Sequence, residues 1–392
     1  MNNTITIVGG GIVGLTLAAV LAKNNFSVSL IESKMPELTW GKNNFTARVS
    51  AIHLTSSKLF HYLEVPELFN NSAPLYSMLI WDHTQNAHLH FDSRDVNEKQ
   101  MGFIIENRAI IKLLWKKLMH DERVEILCPH TPDETIFKKN ALIIGADGAH
   151  SWVREQMPIT MHERSYQQKA IIAVIESEKT HNHCAYQKFL STGPVALLPL
   201  VNSHHAALVW SADNAISDEL MQKSDEAFSS ALTTALDFKL GKLKSISSRS
   251  QFPLTMRHAE EYASENFALV GDAAHTIHPL AGLGVNLGLM DVACLAQVLI
   301  DARANKKSFG DLRTLRRYTR WRKAENSPVI YAMRGLQEVF AIDDNTFNLV
   351  RSFGVNTIDQ CTPIKNQLMK IAMGQSDELP EFLQNPNFTV CS

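Results

Sequence analysis

The chain has little of several things, and each shortage narrows what it can be. Excess basic charge is missing: 38 Lys and Arg stand against 40 Asp and Glu, a formal net charge of −2. That balance gives no global attraction for nucleic acid, and none is expected as a partner. Cysteine is sparse: Cys128, Cys184, Cys294, Cys361 and Cys391 are scattered, odd in number and never spaced Cys-x-x-Cys. This excludes a disulfide framework and a thiolate zinc site, and points to reduced thiols in a cytoplasmic chain. No acid or thiol completes a ligand set around His88 and His90, so no metal is expected. No uninterrupted apolar run reaches the roughly 18 residues of a membrane span. Residues 7–22 imitate a secretion-signal core, yet no Lys or Arg precedes Lys23 and glycines break the run. A soluble or peripheral protein of two or three intertwined domains is the expectation for 392 residues.

What is present is glycine in three organised places. Thr4–Val8 alternates like a strand, meets Gly9-Gly10-Gly11-Ile12-Val13-Gly14, and passes into helical periodicity through Leu15, Ala18, Ala19 and Ala22. A second strand, Ser27 to Ile31, ends at Glu32. Strand, glycine turn, helix, strand and acid make a dinucleotide-binding unit. Gly9 permits the tight turn, Gly11 the approach of a pyrophosphate and Gly14 close helix–sheet packing, while Glu32 accepts from a ribose.

The second place is Ala141 to Gly148, four apolar residues opening onto Gly145-Ala146-Asp147-Gly148 and followed by Arg154. The run suits a parallel strand covered on both faces. Two readings fit the turn: an Asp147–Arg154 ion pair, or a second loop closing over a cofactor. The third place is Gly271 to Asp291, between the apolar strand Phe267–Val270 and a helix marked by Val292, Leu295, Ala296 and Leu299. Its four glycines and Pro279 bring backbone close to a ligand, and the helix start favours a partly negative group. Asp272, at the strand end, is placed for a sugar or ribityl hydroxyl.

Between these pieces, 78–81 and 88–91 read as strands, Gly102–Asn107 as the lead into a helix, and Val124–Leu127 as a strand before a very short hairpin. From Tyr166 to Pro253 the texture becomes antiparallel strands with a helix near 225–236 and no nucleotide signature, a candidate substrate wall. Phe189, Trp210 and Phe252 there suit a core as readily as a ligand. Arg313, Arg316, Arg317 and Arg320, with Arg322 and Lys323, crowd one predicted helix. Both a solvated face and a patch for anionic lipid headgroups or an acidic partner fit them.

In order and spacing, the three glycine pieces resemble those of group A flavoprotein monooxygenases, and more narrowly the ubiquinone-biosynthesis hydroxylases of the type acting on demethoxyubiquinol. Family-like phrases are Arg48-Val49-Ser50-Ala51-Ile52, Gly193 to Leu200, Pro253 to Ala259 and Ala274 to Gly282. The likeness runs from residue 1 to about 325. It implies an α/β fold like p-hydroxybenzoate hydroxylase: a Rossmann-type FAD-binding domain (1–72, 101–165, 262–325), an inserted mainly antiparallel β substrate domain (73–100, 166–261) and C-terminal helices with a tail (326–392).

The resemblance implies noncovalent FAD, held by Gly9, Gly11, Gly14 and Glu32 on its ADP half. Arg48 would meet the pyrophosphate or flavin side, Asn107 the adenine side, and Asp147 and Gly148 the cofactor and a transient NAD(P)H. Asp272 would meet the ribityl-phosphate region, and Pro279, Gly284, Val285 and Asn286 the isoalloxazine. Molecular oxygen would be the co-substrate, delivered as a flavin C4a-hydroperoxide to an electron-rich ring. No general base is evident; His275, His278 and Pro279 are candidates by position, with structural roles for the histidines equally open. A polyprenylated phenol or quinol substrate implies a biosynthetic complex or peripheral contact at the inner face of a membrane. Two departures stand out. Leu283 replaces a usual glutamine, and Asn107 with Arg108 beside it replaces a usual arginine. Other apolar substrates, a flavin reductase and a non-catalytic flavin scaffold are the alternatives.

Overall fold

The computed structural model describes residues 4–41, 44–84, 87–138, 141–276, 282, 284–341, 355–375 and 378–384. The first glycine unit forms as the alternation predicts. Strands Ile5–Val8 and Val28–Ile31 lie parallel in register, joined by the helix Ile12–Lys23. All eight strand residues are buried, as strands covered on both faces must be. Leu142–Gly145 extends this sheet on the other side of Ile5–Val8, followed by Phe267–Leu269, while Val124–Leu127 closes the far edge. The result is a parallel sheet with one short antiparallel edge strand, Ala263–Ser264. Val124–Leu127 thus pairs with Val28–Ile31 and opens no hairpin; the next element is the 3-10 turn Glu134–Lys138. The expected hairpin fails because the apolar residues there serve an edge strand recruited from a distance.

The second large sheet is organised on one 17-residue strand, Met161–Ser177. Ser250–Ala259 pairs antiparallel on one side, with a bulge between Ser165 and Lys169, and His205–Asp213 pairs on the other. Gly193–Pro199, Cys184–Leu190, Ser77–Asp82 and His88–Asp92 complete it, Cys184–Leu190 and Ser77–Asp82 being parallel. Helices Asn214–Gln222 and Asp225–Ala235 seal one face, burying Leu220, Phe228 and Leu232 with Ile171, Leu208 and Trp210. Ser224 caps the second of these helices by accepting from the Ala227 N–H. Over another part of the molecule the helix Thr362–Ala372 seats Met369 and Met373 on Met78, Phe91 and Ala185. Phe189 and Trp210 are core residues, whereas Phe252 is exposed.

The two sheets join at one segment. After Phe267–Leu269 the chain turns through Gly271–Ala273 and adds His275–Thr276 to the large sheet opposite Arg257 and His258. The helix Gly284–Ala304 then returns beneath the glycine unit. By length and composition it could cross a membrane, but 78% of its most apolar window is buried within the protein. Its close approach depends on Gly288, where a Cβ would stand 2.8 Å from Val13 Cγ2 and 3.1 Å from Gly271 Cα. The long helix Leu312–Ala341 packs beside it. On that helix Arg313, Arg316, Arg317 and Arg320 are exposed, but Arg322 is buried. Arg322 therefore leaves the basic surface to which its spacing assigned it.

Candidate active site

A cleft of about 490 Å3 opens at the carboxyl ends of the parallel strands, between the start of the first helix and the start of the Gly284–Ala304 helix. This is where ligands bind in open α/β sheets, since helix N–H groups converge there. Of the residues singled out from sequence, Gly11, Arg48, Asn107, Gly148, Asp272, Gly284 and Val285 line it. Gly9, Gly14 and Glu32 stand behind it. Gly9 adopts φ +109°, and a Cβ on Gly14 would lie 1.9 Å from the Gly9 carbonyl oxygen. Glu32 accepts from the Gly10 N–H at 2.6 Å and from the Lys34 N–H at 2.9 Å, which fixes the turn.

Gly11 makes a different contribution. An added Cβ there would meet nothing within 4 Å, so the space in front of it is open. It is the N-cap of its helix, without a side-chain cap, and no acid occupies the first turn. The free N–H groups and the helix dipole face the cleft unopposed, as a pyrophosphate requires. Arg48 lies on the rim without a carboxylate partner among the described residues. Arg108, by contrast, is engaged by Glu106 at 2.8 Å and stacks over Trp40. Asn107 accepts from the Ser50 hydroxyl at 2.7 Å.

The Asp147 turn contains no ion pair with Arg154, whose guanidinium donates to the Ala273 and Ala149 carbonyls. Asp147 Oδ2 accepts from the Val153 N–H at 3.1 Å, while its Oδ1 is buried without a partner. Burial raises its pKa, against the pull of hydrogen bonds from Ser151 and the Val153 N–H. Asp272 opens onto the cleft, yet the protein packed around it desolvates its carboxyl and raises its pKa, with His275 and Arg257 opposing. Each carboxyl is thus poised to meet a ligand hydroxyl.

Behind the cleft sits a charged network that the sequence did not announce. Asp291, fully buried, accepts at Oδ2 from Gly271 N at 2.9 Å and holds His275 Nε2 at 2.7 Å. At Oδ1 it accepts from Arg322 Nε at 2.7 Å and Asn326 Nδ2 at 3.3 Å. Arg322 is further held by Glu325 and Asn326. Burial alone would raise the Asp291 pKa, but His275 and Arg322 hold it down at about 2. His275, a catalytic candidate by position, has its ring turned into this network and is 2% exposed. Asn286 is likewise turned inward: its amide donates to the carbonyls of Ala51 and Gly282 and accepts from the His53 N–H. It ties the glycine loop to the strand Val49–His53. His278, Pro279 and Leu283 lie outside the described residues. Sequence reasoning missed Glu37, Asn44, Phe45 and Thr46, which line the cleft from a loop with no motif, and Ile111 on the helix Asn107–Leu118.

An uncapped helix start, an open Gly11, an orphaned Asp147 oxygen and glycine-dependent close approaches fit an extended dinucleotide, and likeness to known proteins makes the chain an FAD-dependent monooxygenase. Residues 132–326 match the FAD binding domain family, and residues 7–35 the NAD(P)-binding Rossmann-like domain family. The chain is 32% identical to the 3-demethoxyubiquinol 3-hydroxylase of Escherichia coli, over 94% of this chain and 98% of that protein. It is 31% identical to the ubiquinone hydroxylase UbiL of Rhodospirillum rubrum, over 96% and 91% respectively. It belongs to the ubiquinone-biosynthesis hydroxylases. Among solved structures, p-nitrophenol 4-monooxygenase of Pseudomonas putida shares the fold at a TM-score of 0.74 and 15% identity, covering 96% of this chain and 100% of that one. A probable FAD-dependent monooxygenase of Pseudomonas aeruginosa does so at 0.71 and 20%, covering 91% and 100%.

Proposed function

We propose that this enzyme hydroxylates the ring of a polyprenylated quinol at the demethoxyubiquinol step, with NAD(P)H as electron donor and molecular oxygen as co-substrate. The observation that carries this reading is the end-to-end likeness to the E. coli 3-demethoxyubiquinol 3-hydroxylase, on a chain whose cleft fits FAD. Bound FAD supplies the electron transfer and oxygen activation; the chain's own residues bind, orient and exclude water. Gly11 and the N–H groups after it hold the pyrophosphate, with Arg48 neutralising charge from the rim. Asp272 and Asp147 accept from sugar and ribityl hydroxyls. The N–H groups at the start of the Gly284–Ala304 helix would hold the isoalloxazine end of the cofactor, and Asn286, through Ala51 and Gly282, keeps that helix start in register. His275 acts structurally, through Asp291.

The insoluble substrate calls for contact with a membrane or with other enzymes of the pathway, and the protein works from the cytoplasmic side. The test is mass spectrometry of the quinone pool in a strain lacking the gene, complemented with wild type or with Gly11→Ala. The structure makes that variant informative: its Cβ enters open space, so the chain folds while FAD is displaced. Accumulation of the demethoxy precursor, cleared by wild type alone, is the expected result. An earlier prenylphenol would move the enzyme to another step, and an unchanged pool would sink the assignment.

A further inference from the structure

The exposed face of the Leu312–Ala341 helix carries a feature that ring hydroxylation does not use. Arg313, Arg316 and Arg320, with Thr319 and Glu261, line a depression of about 520 Å3 that shares no residue with the FAD cleft. None of the three arginines has a carboxylate partner among the described residues. Their neighbours do: Arg317 pairs with Asp301 at 2.8 Å and Arg322 with Asp291 at 2.7 Å. Glu261 makes no ion pair with the three, again among the described residues, so three guanidiniums face one acid.

Thr319 supplies an independent observation. It is 4% exposed, and its Oγ1 is buried without a hydrogen-bond partner. A helical threonine ordinarily bonds the carbonyl one turn back. Thr16, Thr233 and Thr234 of this chain do so, to Ile12, Ser229 and Ser230, at 2.7, 2.7 and 3.0 Å. Thr319 lies among the residues that line the basic depression, its hydroxyl buried just beneath the surface without a partner, and buried hydroxyls in native proteins are seldom left that way.

We propose that this depression is a phosphate-binding site. The arginines supply charge-assisted, bidentate donors, and rotation about the Thr319 Cα–Cβ bond brings its unpartnered hydroxyl up to donate to one further oxygen. The phosphate belongs either to a soluble anion or to the headgroup of an acidic lipid, and the two sources are separable. The experiment uses the FAD-loaded enzyme, inorganic pyrophosphate in calorimetry, and co-sedimentation with phosphatidylglycerol-containing or pure phosphatidylcholine vesicles. Wild type is expected to bind one pyrophosphate per chain. Arg316→Ala/Arg320→Ala should weaken binding by about tenfold or more, through lost charge-assisted bonds, and Thr319→Val should weaken it measurably, both with FAD content unchanged. Pyrophosphate binding without vesicle binding assigns a soluble ligand; binding to phosphatidylglycerol vesicles that pyrophosphate displaces assigns a lipid. Failure of both probes would overturn the site. So would binding that Thr319→Val leaves unchanged, since a merely cationic surface ignores that hydroxyl. FAD content and quinol turnover are read separately, so neither outcome bears on the hydroxylase assignment.

Discussion

Replacing Asp291 by asparagine keeps the side chain's shape and removes its charge, and the structure says what that should cost. Four donors or partners converge on its two oxygens: Gly271 N and His275 on Oδ2, Arg322 and Asn326 on Oδ1. An asparagine offers one oxygen, so its amide must face a donor. Gly271 N–H or Arg322 Nε–H is then left without an acceptor, at about 1–3 kcal/mol. The greater loss falls on Arg322, 1% exposed, whose charge keeps only the partly exposed Glu325 as counterion once the buried one is gone. Removing one partner of such a pair costs about 3–5 kcal/mol. The electrostatics point the same way: His275 and Arg322 hold the buried Asp291 carboxyl in its charged form against its burial cost. The expected loss in urea unfolding is therefore about 3–5 kcal/mol. Because Gly271 begins the turn that lines the cleft, FAD should also dissociate more readily. The decisive assay is a double-mutant cycle. Arg322→Met alone leaves Asp291 with His275 as its only ionisable partner, whereas Asp291→Asn with Arg322→Met removes the charges together. The double variant should cost less than the sum of the singles by more than about 1.5 kcal/mol. Additivity within about 0.5 kcal/mol would refute the claim that the pair is energetically coupled.

Gly14→Ala and Gly11→Ala should fail differently. The first forces a Cβ against the Gly9 carbonyl oxygen and should destabilise the fold by about 1–3 kcal/mol or more, seen in apoprotein melting. The second should leave apoprotein melting unchanged and weaken FAD binding in fluorescence titration. Arg48→Ala should likewise lower FAD affinity with little effect on apoprotein stability, and the loss should shrink as salt screens the charge. His53, its pKa lowered to about 4 mainly by burial, and His258, also at about 4 from burial and His275, stay neutral in the fold. The unfolded chain binds these protons first, so stability is full above pH 6.5 and falls as pH drops towards 4. For His53 alone the loss approaches about 3 kcal/mol. Denaturant titrations at pH 7, 5.5 and 4.5 check this, and a flat profile would contradict it.

The glycine unit was legible because its information is local: a strand, a turn that only glycine permits and a helix follow one another within a few dozen residues. The same holds for Leu142–Gly145, whose apolar run announces a strand buried on both faces. The charged network was not legible, and the basic helix shows why. Arg313, Arg316, Arg317 and Arg320 recur at helical spacing and are exposed, but Arg322 follows Arg320 by about 200° of helical rotation and points into the core. Counting charge along a helix merges the two faces. The usable signal lay in the partner helix, where Asp291 is the one acid or base between Gly284 and Ile300. A lone carboxylate in so apolar a helix cannot be buried unpaired, so it demands a cation from another element. That demand identifies a need without identifying the residue that meets it, because Arg322 comes close only when two helices pack. The cleft wall at Asn44, Phe45 and Thr46 is harder still, since a loop residue becomes a ligand contact through where its flanking elements put it. Chemistry written into a turn can be read from the chain; chemistry that exists only between elements cannot, except as an unsatisfied charge awaiting its partner.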